Sequence, residues 1–142
     1  MTSPKDVYLA ARELVGTPYL HQGRHKRMGV DCIGVPILTA NCLGLGNFDV
    51  SGYGRTPDGT LIKRIAEVFP PFVLQPGVLL VFKIRSVPQH CGIVSRYMDG
   101  LGLIHAWDVA DKVVEHRLTQ GWLNKVVGCY GFPGVIYGTE HT

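Results

Sequence analysis

The hydrophobic positions in the first part of the chain recur at helical spacing. Ser3, Pro4 and Asp6 form a helix-start signal, because serine caps a helix, proline suits its first position and an acid three residues after the serine completes a capping box. The apolar residues that follow recur at i, i+3, i+4, i+7 and i+8 until Gly16. This pattern predicts a first helix with one buried face that ends at Gly16.

Two further apolar segments predict helices in the first half of the chain. One follows Asp31, a residue type that caps helices, and is closed by glycines from Gly44 onward. The other covers residues 60–69, whose apolar side chains share one face, and Pro70 stops it. Residues 17–30 show no hydrophobic period, and the pattern predicts a long surface loop there.

The second half of the chain changes to short β-rich segments separated by turn residues. These segments cover residues 78–84, 90–96, 102–107, 112–118 and 126–132. The sequence MDGLG at 98–102 predicts a hairpin turn between two of them. Because helices come first and neighbouring strands follow without βαβ alternation, the pattern predicts an α+β fold in which an antiparallel sheet carries the helices on one side.

Composition narrows the class of protein without naming a function. A chain of 142 residues that is 46% hydrophobic is expected to form one compact domain. A formal net charge of +3 is too small for the basic surface of a nucleic-acid-binding domain. No apolar run is long enough for membrane insertion, and no signal peptide is visible, so we expect a chain made in the cytoplasm.

The four cysteines contain no C-x-x-C pair, which argues against a zinc ribbon or a redox dithiol. Cys32 is of interest because it directly follows the predicted N-cap, where the free N–H groups and positive end of a helix lower a thiol pKa. The competing interpretation is a buried structural cysteine, as we expect for Cys42, Cys91 and Cys129. Strand alternation places Cys91 on the opposite sheet face from His90.

Two histidines lie on strands that the predicted hairpin would pair, His90 on one and His105 on the other. A cysteine nucleophile needs a base within hydrogen-bond reach, and that base needs a third group that sets its tautomer. Cys32, His90 and His105 can supply these roles together. Either histidine alone would be compatible with a structural or surface role.

Several spaced segments resemble one family. GTPYLHQGR at 16–24, GVDCIGV at 29–35, QHCGIV at 89–94 and LIHAW at 103–107 resemble the NlpC-type cell-wall cysteine peptidases, most closely the bacteriophage-encoded subset. The resemblance covers most of the chain and implies a single cysteine peptidase domain over residues 1–142. It also implies a papain-like α+β fold in which the nucleophile lies at a helix N-terminus and the histidines lie on the sheet.

The resemblance implies a role for each site residue. Cys32 would be the nucleophile, His90 the general base and acid, and His105 the residue that orients its imidazole. Tyr19 would line the cleft and help to hold the oxyanion, unless it only fills the loop. Asp31 would contact a substrate amine, a role that competes with helix capping but does not exclude it. No metal and no cofactor is required.

The implied activity is hydrolysis of peptidoglycan stem peptides at γ-D-glutamyl–diamino acid bonds, with phage tail proteins as further partners. Two alternatives stay open: an inactive structural or wall-binding tail component, and a cysteine amidase that acts on another amide. Two departures from the family pattern bear on activity and specificity. Ile33 stands where serine is common after the cysteine, and Val78 stands where an aspartate is common before the histidine strand.

Overall fold

The computed structural model describes residues 1–46, 49, 60–85 and 87–138, without the side chains of residues 61, 62, 87 and 88. Its helices are α1 (Pro4–Arg12), α2 (Gly34–Cys42), α3 (Thr60–Val68) and α4 (Gln120–Leu123). Its strands are β1 (Arg24–His25), β2 (Gly29–Val30), β3 (Leu79–Ile84), β4 (Val87–Tyr97), β5 (Gly100–Trp107), β6 (Lys112–Arg117) and β7 (Val126–Tyr130). No helix in these ranges is long and apolar enough to cross a membrane.

The five strands of the second half form one antiparallel sheet in the order β6-β5-β4-β3-β7. The predicted hairpin joins β4 to β5, where Tyr97 pairs with Gly100 and Met98 adopts a φ of 57°. The α+β fold with an antiparallel sheet is therefore confirmed.

The sheet separates two hydrophobic clusters. Leu79 and Val81 of β3 point to the cluster that α1, α2 and α3 cover, whereas Leu80 and Phe82 point to the other cluster. This alternation follows from the two-residue period of a strand. The three longer helices lie on one side as predicted, and the short α4, which the hydrophobic pattern did not reveal, contributes Trp122 to the other side.

Helix α1 begins as predicted and ends earlier than predicted. The Ser3 side chain accepts from the Asp6 N–H and the Asp6 carboxylate accepts from the Ser3 N–H, which is the full capping box. The helix ends at Arg12, turns follow up to Gly16, and Val15 is 44% exposed. The apolar period thus continued for one turn beyond the helix itself.

The segment at 17–30 is not the irregular loop that its lack of period predicted. It contains the antiparallel pair β1–β2, and Tyr19 forms a parallel bridge to Val30. The close packing depends on glycine, because a Cβ atom added at Gly23 would clash with the Gly29 carbonyl oxygen. The period of apolar side chains does not report such backbone contacts, so the pattern did not predict this pair of strands.

Helices α2 and α3 depart from prediction in detail. Helix α2 begins at Gly34 rather than directly after Asp31, and Pro36 falls within its first turn, where a missing N–H is tolerated. On α3, Ile65 is buried as expected, but Ala66 is exposed although the pattern assigned it to the buried face. The predicted face also included residues 61 and 62, whose side chains lie outside the described part.

Candidate active site

Cys32 lies in the turn between β2 and α2, and Asp31 organises this turn. The Asp31 carboxylate accepts hydrogen bonds from the Gly34 N–H at 2.9 Å and the Gln22 N–H at 2.8 Å. It also pairs with the Arg24 guanidinium at 2.9 Å. With 2% exposure, Asp31 is a buried anchor that joins the start of α2 to the segment carrying Tyr19.

This geometry bears on the two interpretations of Asp31. The prediction that Asp31 is the N-cap of α2 is wrong, because Ile33 is the residue that precedes the helix; the Asp31 carboxylate nevertheless accepts from the Gly34 N–H, the first of the helix. Contact with a substrate amine stays a prediction, because such an amine would have to compete with Arg24 for a carboxylate below the surface.

The Cys32 thiol is half-buried and lies against β4. Its Sγ is 3.8 Å from the Gln89 carbonyl oxygen, and the Cys91 thiol donates to the Cys32 carbonyl oxygen at 3.1 Å. A hydrogen bond with Cys91, together with a hydrogen bond and the charge of His90, lowers the pKa of the Cys32 thiol to about 5 against the effect of burial. The direction is the one predicted from the sequence, but neighbouring side chains rather than the helix terminus account for it.

His90 and His105 meet across the β4–β5 hairpin. The Nε2 atom of His90 is 2.6 Å from the Nδ1 atom of His105, and both side chains are buried. Burial, followed by the charges of His90 and His116, lowers the pKa of His105 to about 2. His105 is therefore neutral at physiological pH and can orient His90 without carrying charge.

A third histidine, His116, was not predicted from the sequence, and it contacts His105 on the side away from His90. The Nε2 atom of His116 is 2.8 Å from the Nε2 atom of His105, and its Nδ1 atom is 2.8 Å from the Arg117 carbonyl oxygen. A usable signal was present, because His116 falls inside the strand predicted at 112–118, next to the strand of His105.

Two tryptophans pack against the imidazoles. The ring of Trp107 lies 5.1 Å from that of His90, and the ring of Trp122 lies 5.0 Å from that of His105. Trp122 was also missed, since α4 was not predicted. These aromatic contacts restrict the orientations that the histidine rings can adopt.

Cys32 and His90 open onto a small cleft of about 60 Å³. Tyr19, Trp107 and Asp108 also line it. Tyr19 thus lies beside Cys32, where the resemblance places it, while the role of its hydroxyl stays a prediction. Asp108 is exposed and contributes a carboxylate to the cleft wall that sequence reasoning did not single out.

The remaining cysteines behave differently from one another. Cys91 is buried on the helix-covered face of β4, opposite to His90, as alternation predicted. Cys129 is half-buried, and Cys42 is exposed at the end of α2, which contradicts the expected burial. Within the described ranges, no group of three or more His, Cys, Asp or Glu side chains is arranged to hold a metal ion.

No family model matches the sequence, and no curated protein matches it. Solved structures do match. The NlpC/p60 domain of the peptidoglycan hydrolase SagA superposes with a TM-score of 0.63 at 19% identity, over 92% of this chain and 100% of that one. The chain has the NlpC/p60 fold.

Two further solved structures superpose on this chain, one of a longer protein and one of an amidase. NlpC2 from Trichomonas vaginalis superposes with a TM-score of 0.64 at 17% identity, over 93% of this chain and 49% of that one. An N-acetylmuramoyl-L-alanine amidase from Bacteroides uniformis superposes with a TM-score of 0.59 at 13% identity, over 89% of this chain and 96% of that one. The chain thus spans about half the length of NlpC2, and these likenesses establish the papain-like fold alone.

Proposed function

We propose that this chain is a cysteine hydrolase that cleaves peptidoglycan stem peptides at γ-D-glutamyl–diamino acid bonds. The observation that carries the proposal is that Cys32 and His90 line one cleft and His105 lies behind His90, with the thiol pKa lowered and His90 hydrogen-bonded to the neutral imidazole of His105. The NlpC/p60 fold supports it, because the similar structures include a domain of a peptidoglycan hydrolase.

The first half of the proposed reaction forms an acyl-enzyme. The Cys32 thiolate attacks the scissile carbonyl carbon, a C–S bond forms and the carbonyl π electrons move to oxygen. The Cys32 backbone N–H and the Tyr19 hydroxyl are the proposed donors to that oxyanion. When the tetrahedral intermediate collapses, the C–N bond breaks and His90 gives its proton to the leaving amine.

The second half releases the acid. His90 takes a proton from water, whose oxygen attacks the thioester carbon. The second intermediate collapses with cleavage of the C–S bond, the product leaves as a carboxylic acid, and the thiolate and protonated His90 are restored. His105 holds the imidazole in one orientation through both halves.

An amide other than a stem-peptide bond is the second candidate substrate. One specific observation favours it, namely the structural likeness to an N-acetylmuramoyl-L-alanine amidase. The same thiolate chemistry would serve both substrates, so the identity of the cleaved bond separates the two candidates.

We also propose that the enzyme is made in the cytoplasm and reaches the cell wall on a phage tail. The support is the resemblance of GTPYLHQGR at 16–24 to phage-encoded peptidases. Mass spectrometry of purified particles tests this: the chain should copurify with tails, and its absence from intact particles would overturn tail delivery without touching the hydrolase.

The activity is tested by incubating purified protein with defined muropeptides and identifying products by mass. Wild type should cleave the γ-D-glutamyl–diamino acid bond, and Cys32→Ser should not. Cys42→Ser is the matched control, because Cys42 is exposed and lies outside the cleft, and it should cleave like wild type. Cleavage at the lactyl–alanine amide would favour the amidase, and no cleavage of any muropeptide would favour a wall-binding role.

A further inference from the structure

We propose that His116 is a positioning residue that, together with the Arg117 carbonyl, sets the tautomers of His105 and His90, so that Nδ1 of His90 is the atom that takes the proton of Cys32. The inference deepens the proposed function, since it concerns the base of that reaction. His116 is the histidine farthest from Cys32, and its outer hydrogen-bond partner is a backbone carbonyl.

A carbonyl oxygen can only accept a hydrogen bond, so the bond of 2.8 Å between His116 and the Arg117 carbonyl requires a proton on His116 Nδ1. In this proposal His116 is neutral; a neutral imidazole carries one ring proton, so the Nε2 atom of His116 then has a free lone pair. The backbone carbonyl thus decides which nitrogen of His116 can accept.

The tautomer of His116 sets the tautomer of His105, and that of His105 sets the tautomer of His90. The Nε2 atom of His116 accepts from His105 Nε2–H at 2.8 Å, which leaves the Nδ1 atom of the neutral His105 unprotonated. That Nδ1 atom accepts from His90 Nε2–H at 2.6 Å. The nitrogen of His90 left to act as a base is Nδ1.

The free Nδ1 atom is the one available to Cys32, because Nε2 is already engaged with His105 and the thiol is hydrogen-bonded to His90. When Nδ1 takes the thiol proton, Nε2–H goes on donating to His105 in the same direction. Proton transfer therefore needs no rearrangement of the other rings. Burial and the charge of His90 keep His105 neutral, so the positive charge stays on His90.

The sheet supports this placement of the rings. His116 pairs with Leu103, which lies two residues before His105 on the same face of β5, so His116 is a diagonal neighbour of His105. On the other side, Gly92 leaves room for His105, since an added Cβ atom would lie 2.9 Å from the His105 Cβ atom. The line of histidines is thus set by strand register.

The first test reads the tautomers directly by ¹⁵N NMR of the histidine rings in wild type at neutral pH. We expect His116 protonated at Nδ1 only and His105 protonated at Nε2 only. The opposite tautomer at either residue would overturn the proposal. This measurement needs no substrate and no variant, so its outcome is independent of the proposed peptidase activity and of any folding defect.

The second test removes the acceptor. In a Cys42→Ser background, the rate of Cys32 alkylation by iodoacetamide is measured against pH for His116→Leu and His116→Gln. At pH 5, His116→Leu should react about tenfold more slowly, because the thiolate is less stabilised without an oriented His90. His116→Gln, whose amide oxygen can accept from His105 Nε2–H, should react close to wild type.

His25→Gln is the control, since it removes an exposed imidazole from β1, outside the sheet that carries His90, His105 and His116, while the glutamine amide oxygen can still accept from the Arg27 and Met28 N–H groups. Its alkylation profile should match that of wild type. Equal profiles for a folded His116→Leu and wild type would overturn the proposal, and so would equal losses in His116→Leu and His116→Gln, which would indicate a packing role only. If no muropeptide is cleaved but the alkylation profiles of His116→Leu and His116→Gln differ as expected, the peptidase proposal fails. The proposal that His116 sets the tautomers of His105 and His90 is then still supported.

Discussion

At the scale of single residues, Cys32 is contacted by two consecutive side chains of β4 that point to opposite faces of the sheet. Cys91 belongs to the cluster beneath the helices, and His90 packs against Phe82 and Trp107 on the other face. Both lower the pKa of the Cys32 thiol through hydrogen bonds, and His90 adds its charge. The thiol therefore has two partners whose contributions can be separated by mutation.

Replacing Cys91 by alanine should raise the pKa of Cys32, because the Cys91 hydrogen bond is the largest effect that lowers it. The alkylation rate of Cys32 should then rise with pH at a higher midpoint than in wild type. Cys129→Ala is the control, since Cys129 packs in the cluster on the other face. An unchanged midpoint in Cys91→Ala would show that His90 alone accounts for the lowered pKa.

Replacing His90 by alanine should also raise the pKa of Cys32, since the hydrogen bond and positive charge that stabilise the thiolate are lost. Hydrolysis should fall about 10²- to 10⁴-fold, because the leaving amine loses its proton donor. Cys91→Ala separates the two roles of His90, which are lowering the pKa of Cys32 and protonating the leaving amine. This variant should shift the midpoint of Cys32 alkylation but keep much of the hydrolysis, because His90 is still present. Alkylation of His90→Ala that matches wild type at every pH would contradict an activated pair.

At the scale of elements, the turn before α2 depends on a buried carboxylate. Asp31→Ala would remove the acceptor for the Gly34 and Gln22 N–H groups and the buried partner of Arg24. We expect a loss of about 3 kcal/mol in the free energy of unfolding, measured by urea denaturation. Asp99→Ala is the control, because its ion pair with Arg117 is solvent-exposed, and it should unfold like wild type.

The close contact between β4 and β5 depends on Gly92, which has no side chain. A Cβ atom at Gly92 would lie 2.7 Å from Leu103 Cδ1 and 2.9 Å from His105 Cβ, so Gly92→Ala should displace His105. We expect about 1–3 kcal/mol of destabilisation and slower hydrolysis. Gly100→Ala, at the start of β5, meets no atom nearer than 3.6 Å and should change neither quantity. Equal stability of the two variants would contradict the crowding at Gly92.

At the scale of the whole molecule, an ion pair ties α1 to the sheet. Arg12 donates two hydrogen bonds to Glu115 of β6, at 2.8 and 2.7 Å, and one at 2.8 Å to the Arg96 carbonyl oxygen. Burial opposes ionisation of Glu115, but the hydrogen bonds from Arg12 and Ser95 outweigh it and lower its pKa. The contact joins the first helix to the edge strand β6, 103 residues later in the sequence.

Stability should therefore fall in acid as Glu115 is protonated. A carboxyl whose pKa is lowered in the folded state stabilises it above the unfolded value, near 4.5, and this stabilisation is lost as pH falls through the folded pKa. In Glu115→Gln, Tm should be lower at neutral pH and should decline less steeply below pH 4.5. Glu13→Gln, an exposed control, should keep the acid decline of wild type, and a parallel decline in Glu115→Gln would contradict this role.

Much of this architecture could be predicted from periodicity alone. The Ser3 capping box, the change from helices to strands and the hairpin around Met98 are local, because each depends on residues within a few positions of one another. The predicted hairpin also brought His90 close to His105, and the resemblance to the NlpC-type peptidases implied that Cys32 lies beside them. The β1–β2 pair and α4 escaped prediction because two-residue strands and a four-residue helix are too short to show a hydrophobic period, and the early end of α1 escaped it because the apolar period continues past Arg12.

The sequence by itself therefore determined the fold class, the position of Cys32 near the start of a helix and the pairing that joins His90 to His105. Only the tertiary structure decided the chemistry around them. Cys91 and Cys32 are far apart in sequence and meet because α2 packs on β4, and His116 joins His105 only through the register of β5 with β6. Hydrogen-bond partners and burial, which control the pKa of a thiol and the tautomer of an imidazole, are properties of packed surfaces rather than of local sequence.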